Sequence, residues 1–230
     1  MSQHLINELE KLKKKLLLLG NMAEQSVRQG GLAIKNLDPE MAKEVILMDH
    51  QIDLKEVEIE EDCLKILALH QPVANDLRVV VSALKITSDL ERIGDLGVNI
   101  AERTIYLSQQ PPVPIPFDFE NMWQLSLDMV KRALEAMVNM DLALAKKVCE
   151  DDDKVDQINK EMYQKVYDGV RSNPEHVESL IHYLSVSRHL ERVADYATNI
   201  CEDVIYMIEG RIVRHNPEVY LSGKRYDKLK

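Results

Sequence analysis

The stretch DLERIGDLGVNI at positions 89–100 returns as HLERVADYATNI at 189–200, one hundred residues later and without a gap. Widened to 84–108 against 184–208, the alignment keeps 10 of 25 positions identical: Leu84, Leu90, Glu91, Arg92, Asp95, Asn99, Ile100, Glu102, Ile105 and Tyr106. Upstream the offset becomes 103. Asp38, Ala42, Lys43, Val45, Asp49, Asp53 and Glu58 recur as Asp141, Ala145, Lys146, Val148, Asp152, Asp156 and Glu161. A change of three residues belongs in a loop, where length is cheap. The chain is therefore read as two copies of one unit.

Proline placement gives the unit its shape. Prolines stand at 39, 72, 111, 112, 114, 116, 174 and 217. A helix interior excludes proline, which has no N–H and clashes with the preceding turn, so the stretches between are candidate helices. Asp38-Pro39 and Asn173-Pro174 read as an N-cap followed by the first helical residue, and Pro72 is expected to open a helix in the same way. Six helices follow, at about 5–36, 39–69, 72–109, 118–139, 141–170 and 174–209, with Asp141 capping the fifth and Gly210 closing the sixth. The run 111–116 is a stiff, extended linker. The expected fold is all-α: two tandem antiparallel three-helix bundles related by internal duplication. Residues 1–110 form the first, 117–214 the second and 215–230 a tail.

On the third helix Glu91, Asp95, Asn99 and Glu102 fall within about 80° of one another, while Leu90, Ile93, Gly97 and Ile100 lie on the other side. Asp49 and Asp53 form an i, i+4 pair on the second helix. A short connection makes these helices antiparallel neighbours, so the two acidic pairs can meet across one groove. The second copy offers Asp152, Asp156, Glu191, Asp195, Asn199 and Glu202 in the same arrangement. Stacked like charges cost stability unless a cation lies between them. Two readings stay open: a site for a hard or borderline cation with oxygen ligands, or a solvated acidic face balanced by Arg92, Arg192 and counterions. The proposed ligands are Asp49, Asp53, Glu91, Asp95 and Asn99 in one site, and Asp152, Asp156, Glu191, Asp195 and Asn199 in the other. The acids are expected on the outer side of their helices. That placement, and the lack of any Glu three residues before a histidine, argue against a ferritin-type di-iron centre. His182 and His189 are read as surface or packing histidines.

A formal net charge of −10 repels phosphate backbones, so nucleic acid is not an expected partner. The lysines at 11, 13, 14 and 15 and the basic residues at 224, 225, 228 and 230 read as solvated charge. The three cysteines, Cys63, Cys149 and Cys201, form no metal-type spacing and read as small buried hydrophobes in a reducing compartment. No stretch has the apolar length of a signal peptide or a membrane span, so a cytoplasmic protein is expected. No Gly-rich phosphate loop or nucleophile motif is present, and Gly30-Gly31 reads as a place where helices touch.

The segments PVANDLR at 72–78, DLERIGD at 89–95 with Asn99, and LERVADYATN at 190–199 resemble the PhoU family over essentially the whole chain. PhoU-like proteins accompany the bacterial phosphate-specific ABC transporter. The resemblance implies a non-enzymatic regulator that restrains phosphate uptake and represses the phosphate-starvation regulon. It further implies contact with the transporter's ATPase subunit and with the sensor histidine kinase, and self-association as a homodimer. Contact with the membrane would come only through these partners. Metal on the acidic strips is implied as well, with iron, manganese, magnesium or zinc as candidates. The second copy lacks the Asp-Leu-Arg of 76–78. A metal-dependent enzyme acting on phosphate or phosphoesters, and a structural module without metal, are the alternatives.

Overall fold

The computed structural model describes residues 3–113 and 119–214. Six long helices run through them: α1 Gln3–Asn36, α2 Pro39–His70, α3 Ala74–Leu107, α4 Phe119–Asn139, α5 Leu142–Ser172 and α6 Val177–Glu209. Among the described residues there is no strand. The architecture is the all-α one the repeat predicts. Residues 111–113 carry no regular structure, and the rest of the expected linker and the basic tail lie outside the described residues.

The turns repeat as well as the helices. Leu37 and Met140, both non-glycine, adopt left-handed φ values of 50° and 52° at the ends of α1 and α4. Such a conformation costs an L-residue about 1 kcal/mol. Each is followed by an aspartate that caps the next helix. Asp38 accepts from the amides of Glu40 and Met41 at 3.0 and 3.1 Å, and Asp141 accepts from that of Leu144 at 2.9 Å. Both caps stand where the sequence puts them. So does Gly210, left-handed at φ 71°, whose N–H closes α6 on the Tyr206 carbonyl. Two helix starts differ from expectation. Pro72 follows a left-handed Gln71 and ends α2, and α3 begins only at Ala74 after an extended Val73. Pro174 opens a short 3-10 turn, Pro174–His176, with no cap from the Asn173 side chain, and α6 starts at Val177.

The two halves share one core. Buried Leu12, Leu19, Val27, Ile86, Leu90 and Ile93 continue without a break into Met122, Val130, Val186, Leu190 and Ile200. α3 packs along α6, and α1 along α4, as well as against the partners within each half. Lys85 and Tyr206 meet at one end of the α3–α6 seam, and Tyr106 and His182 at the other, so these helices are antiparallel. Gly30 and Gly31 let α1 into this arrangement. A Cβ on Gly30 would stand 2.9 Å from the Gly97 carbonyl oxygen, and one on Gly31 would run into the Trp123 ring. All three cysteines are buried and free, as small hydrophobes.

Candidate functional site: two acidic grooves on one seam

In the first half α2 lies against α3 with its acids toward those of α3. Asp49 feels Asp53 and Asp95, and Glu91 feels Asp95, Glu56 and Asp53. The four carboxylates expected from the sequence lie along the same pair of helices, within electrostatic reach of their neighbours. A fifth, Glu56, joins them. It continues the register of Asp49 and Asp53 at i, i+4, i+7, a signal that the sequence reading passed over. Asn99 donates its side-chain amide to the Asp95 carbonyl on its own helix at 2.8 Å. Glu102 leaves the strip, pairing with Arg103 at 3.2 Å.

Electrostatics follow from the geometry. Burial, then Asp53 and Asp95, pushes the Asp49 carboxyl up to about 6. Burial, then Asp95, Glu56 and Asp53, pushes Glu91 up to about 7 against the opposing pull of Arg92. Glu56 and Asp95 are also raised, chiefly by burial. A carboxyl that is both partly desolvated and next to like charges binds a proton more tightly. Asp49 Oδ1 is buried without a hydrogen-bond partner among the described residues. It lies beneath Gly94, whose missing Cβ would sit 3.8 Å from it.

The second groove repeats the plan with changes. Asp152 and Asp156 bear on Glu191, whose carboxyl is raised by burial first and then by them, with Arg188 and Arg192 opposing. Asp152 is only 1% exposed and Glu202 is 9% exposed, so the expectation that all the acids stay on the outer side fails here. α5 is clamped to α4 next to this position by Arg132, which holds Asp128 and Asp151, each at 2.7 Å, drawing α5 inward. Glu202 belongs instead to a cluster at the seam, where Arg214 lies 3.1 Å from Asp89, 3.8 Å from Asp203 and 3.9 Å from Glu202. Asp195 is exposed and Asn199 half-buried on the same helix.

Tyr196 stands between the two grooves. Arg92 of α3 and Arg192 of α6 both donate to its hydroxyl, at 3.4 and 3.3 Å, and both lie over its ring, at 5.9 and 6.0 Å. Asp95 feels both arginines. The grooves are thus joined through shared cations.

The donor chemistry, carboxylates only, suits a hard cation, and the orphaned Asp49 oxygen is the kind of atom such an ion satisfies. As the side chains stand, however, no three His, Cys, Asp or Glu residues among the described ones are gathered closely enough to hold an ion. An ion would need the carboxylates to turn toward it. Among the described residues no helix is long and apolar enough to cross a membrane.

Comparison with known proteins places this arrangement. The model of the PhoU domain matches twice, at residues 16–104 and 119–204, once over each groove. A phosphate-specific transport system accessory protein PhoU homolog of Aquifex aeolicus is 38% identical over 211 residues, 92% of this chain and 96% of that protein. The accessory protein PhoU of Escherichia coli is 31% identical over 222 residues, 96% and 90% of the two chains. The crystal structure of PhoU from Pseudomonas aeruginosa superposes with a TM-score of 0.85 at 33% identity, over 89% of this chain and 99% of that one. The phosphate transport system regulatory protein PhoU from Streptococcus pneumoniae gives 0.84 at 32%, over 91% and 99%.

Proposed function

The chain belongs to the PhoU family, and from that premise we propose that it is a non-enzymatic regulator of phosphate uptake whose two acidic grooves are its working surface. The observation that carries this reading is the coincidence of the two domain matches with the two grooves. In this proposal the protein acts in the cytoplasm between the ATPase subunit of the phosphate ABC transporter and the sensor histidine kinase. There it holds down the phosphate-starvation regulon when phosphate is plentiful. It reaches the membrane only through those partners, and it does not bind nucleic acid.

A regulator acts by holding one state of its partner better than another. The first groove supplies a means. Burial first, and then neighbouring carboxylates, hold Asp49 at about 6 and Glu91 at about 7, so a metal ion has protons to displace and repulsion to relieve. Iron, manganese, magnesium or zinc, held by Asp49, Asp53, Glu91 and Asp95, and on the other side by Asp152, Asp156, Glu191 and Asp195, would invert the local charge that a partner meets. Asn99 and Asn199 complete the two sets. Self-association as a homodimer is supported by a row of exposed apolar side chains, Leu47, Leu54, Val57 and Leu64, spaced by sevens and threes along the outer face of α2.

The test is a phosphatase reporter in phosphate-rich cells carrying Glu91→Gln with Asp95→Asn, or Glu191→Gln with Asp195→Asn. Derepression by folded variants is the expected outcome. Full repression by both variants at normal protein level would remove the grooves from the regulatory surface.

A further inference from the structure

Beside the second groove, α6 turns a different face to solvent. A pocket of about 330 Å³ opens there between Ile181, Leu184, Ser185, Arg188, His189 and Arg192. Arg188 has no ion pair within 4 Å and no hydrogen bond among the described residues, and Arg192 makes no ion pair within 4 Å either, only its bond to Tyr196. From α3, Arg103 bears on both His182 and His189. Its one ion pair is to the exposed neighbour Glu102, the kind of contact that water and salt weaken readily. One nitrogen of the lining, His189 Nδ1, is buried without a partner among the described residues, as are Arg103 Nε and His182 Nδ1 just outside the lining. Ser185 Oγ lies 3.1 Å from His189 Nε2 and fixes that ring.

In a chain with a formal charge of −10, three guanidinium groups around two imidazoles are a costly local excess of donors. The nearest acids relieve it only in part: Arg188 and Arg192 pull on Glu191, and Arg192 on Asp95, without forming an ion pair within 4 Å. Glu178 accepts from the Tyr106 hydroxyl at 2.7 Å, and Glu191 and Asp95 face the grooves. Planar guanidinium forks with a hydroxyl beside them match a tetrahedral oxyanion, which accepts several charge-assisted bonds at once.

We propose that the pocket between Ser185, Arg188, His189 and Arg192, with Arg103 at its edge, is a binding site for a phosphate group. The inference stands on the pocket alone and does not depend on the regulatory reading. A direct binding experiment on the purified full chain therefore tests it separately from the reporter in cells.

Orthophosphate and glycerol phosphate are titrated calorimetrically in parallel at constant ionic strength. Saturable binding of at least one is expected. Tighter orthophosphate assigns the site to the free anion, and tighter glycerol phosphate assigns it to a phosphorylated ligand. Arg188→Gln and Arg103→Gln should each weaken binding about tenfold, the loss of one charge-assisted bond. Arg171→Gln, which removes a cation stacked 4.5 Å over Tyr167 elsewhere on the surface, should leave it unchanged. Absence of binding to both ligands overturns the proposal. So does binding untouched by Arg188→Gln and Arg103→Gln, or weakened equally by Arg171→Gln. Melting curves of each variant check that the fold is kept.

Discussion

The first and second grooves descend from one sequence, yet they differ in how closely their helices meet and in how many charges they crowd together. Where α3 carries Gly94 and Gly97, α6 carries Ala194 and Ala197. A Cβ at 97 would stand 2.7 Å from the Ser26 carbonyl carbon and 2.9 Å from the Val27 nitrogen, so α1 lies almost backbone to backbone on α3. In charge, the first groove has Glu56 where the 103-residue offset puts Asn159 in the second. That asparagine is buried and accepts from the Ser187 hydroxyl at 2.7 Å. Asp89 is answered by His189, and Leu96 by Tyr196. The first groove concentrates carboxylates, and the second replaces one with an amide and gathers arginines beside it. A duplication can thus copy a scaffold while three or four positions decide what each copy holds.

The sharpest way to break the comparison is to exchange the small residues. Gly97→Ala pushes a methyl into backbone that cannot turn aside, and about 3 kcal/mol of stability should be lost in urea unfolding, the upper range for overpacking. The reverse change, Ala197→Gly, should cost only about 1 kcal/mol, the loss of a helix-favouring residue. Equal costs would mean that the two halves pack alike.

Metal comes next. With free Mn²⁺ at a hundred times its Kd, mass action should add about 2.7 kcal/mol to the protein. Glu91→Gln with Asp95→Asn should remove most of the shift in melting temperature, and the equivalent pair in the second groove less. A shift that survives both pairs places the ion elsewhere.

Acidity separates the grooves without metal. The folded-state carboxyls of Asp49 and Glu91, at about 6 and 7, lie above their ordinary 3.8 and 4.5. A raised carboxyl favours the folded state while it is protonated, and that contribution is lost as pH rises through the folded value. The metal-free protein at low salt should therefore melt lower at pH 8 than at pH 5. About 2–4 °C is expected, corresponding to roughly 1 kcal/mol after solvent screening. Asp49→Asn with Glu91→Gln should flatten the profile. The smallest effect belongs to the link between the grooves: Tyr196→Phe removes the acceptor shared by Arg92 and Arg192 and should cost about 0.5–1 kcal/mol in the same unfolding assay.

Much of this was legible in the sequence because it is periodic. Helices set by proline and by caps such as Asp38 and Asp141 appear where a local rule puts them, and the carboxylate pairs fall on one face because helical geometry leaves no other choice. What was not legible depends on contacts between distant segments. Asp152 is buried beside an Asp151 that Arg132 of another helix holds, and Pro72 does not start α3 because Val73 after it is extended. Nothing in either copy read alone says that Tyr196 will be shared by arginines of both. The common core across the α3–α6 seam is a tertiary fact of the same kind.

The buried thiols have a use that their packing alone does not suggest. Cys63 sits on α2 in the first half, and Cys149 and Cys201 sit together in the second. Burial pushes the Cys63 thiol up to about 12 and the Cys201 thiol well above its ordinary value, so neither reacts while its helix stays in place. Each half thus contains its own chemical clock. The rate at which an alkylating reagent consumes each thiol reports how often that half opens. With Cys63 mutated to serine in one sample and the other two in a second, the clocks would show whether a bound ion or partner quiets one groove or both.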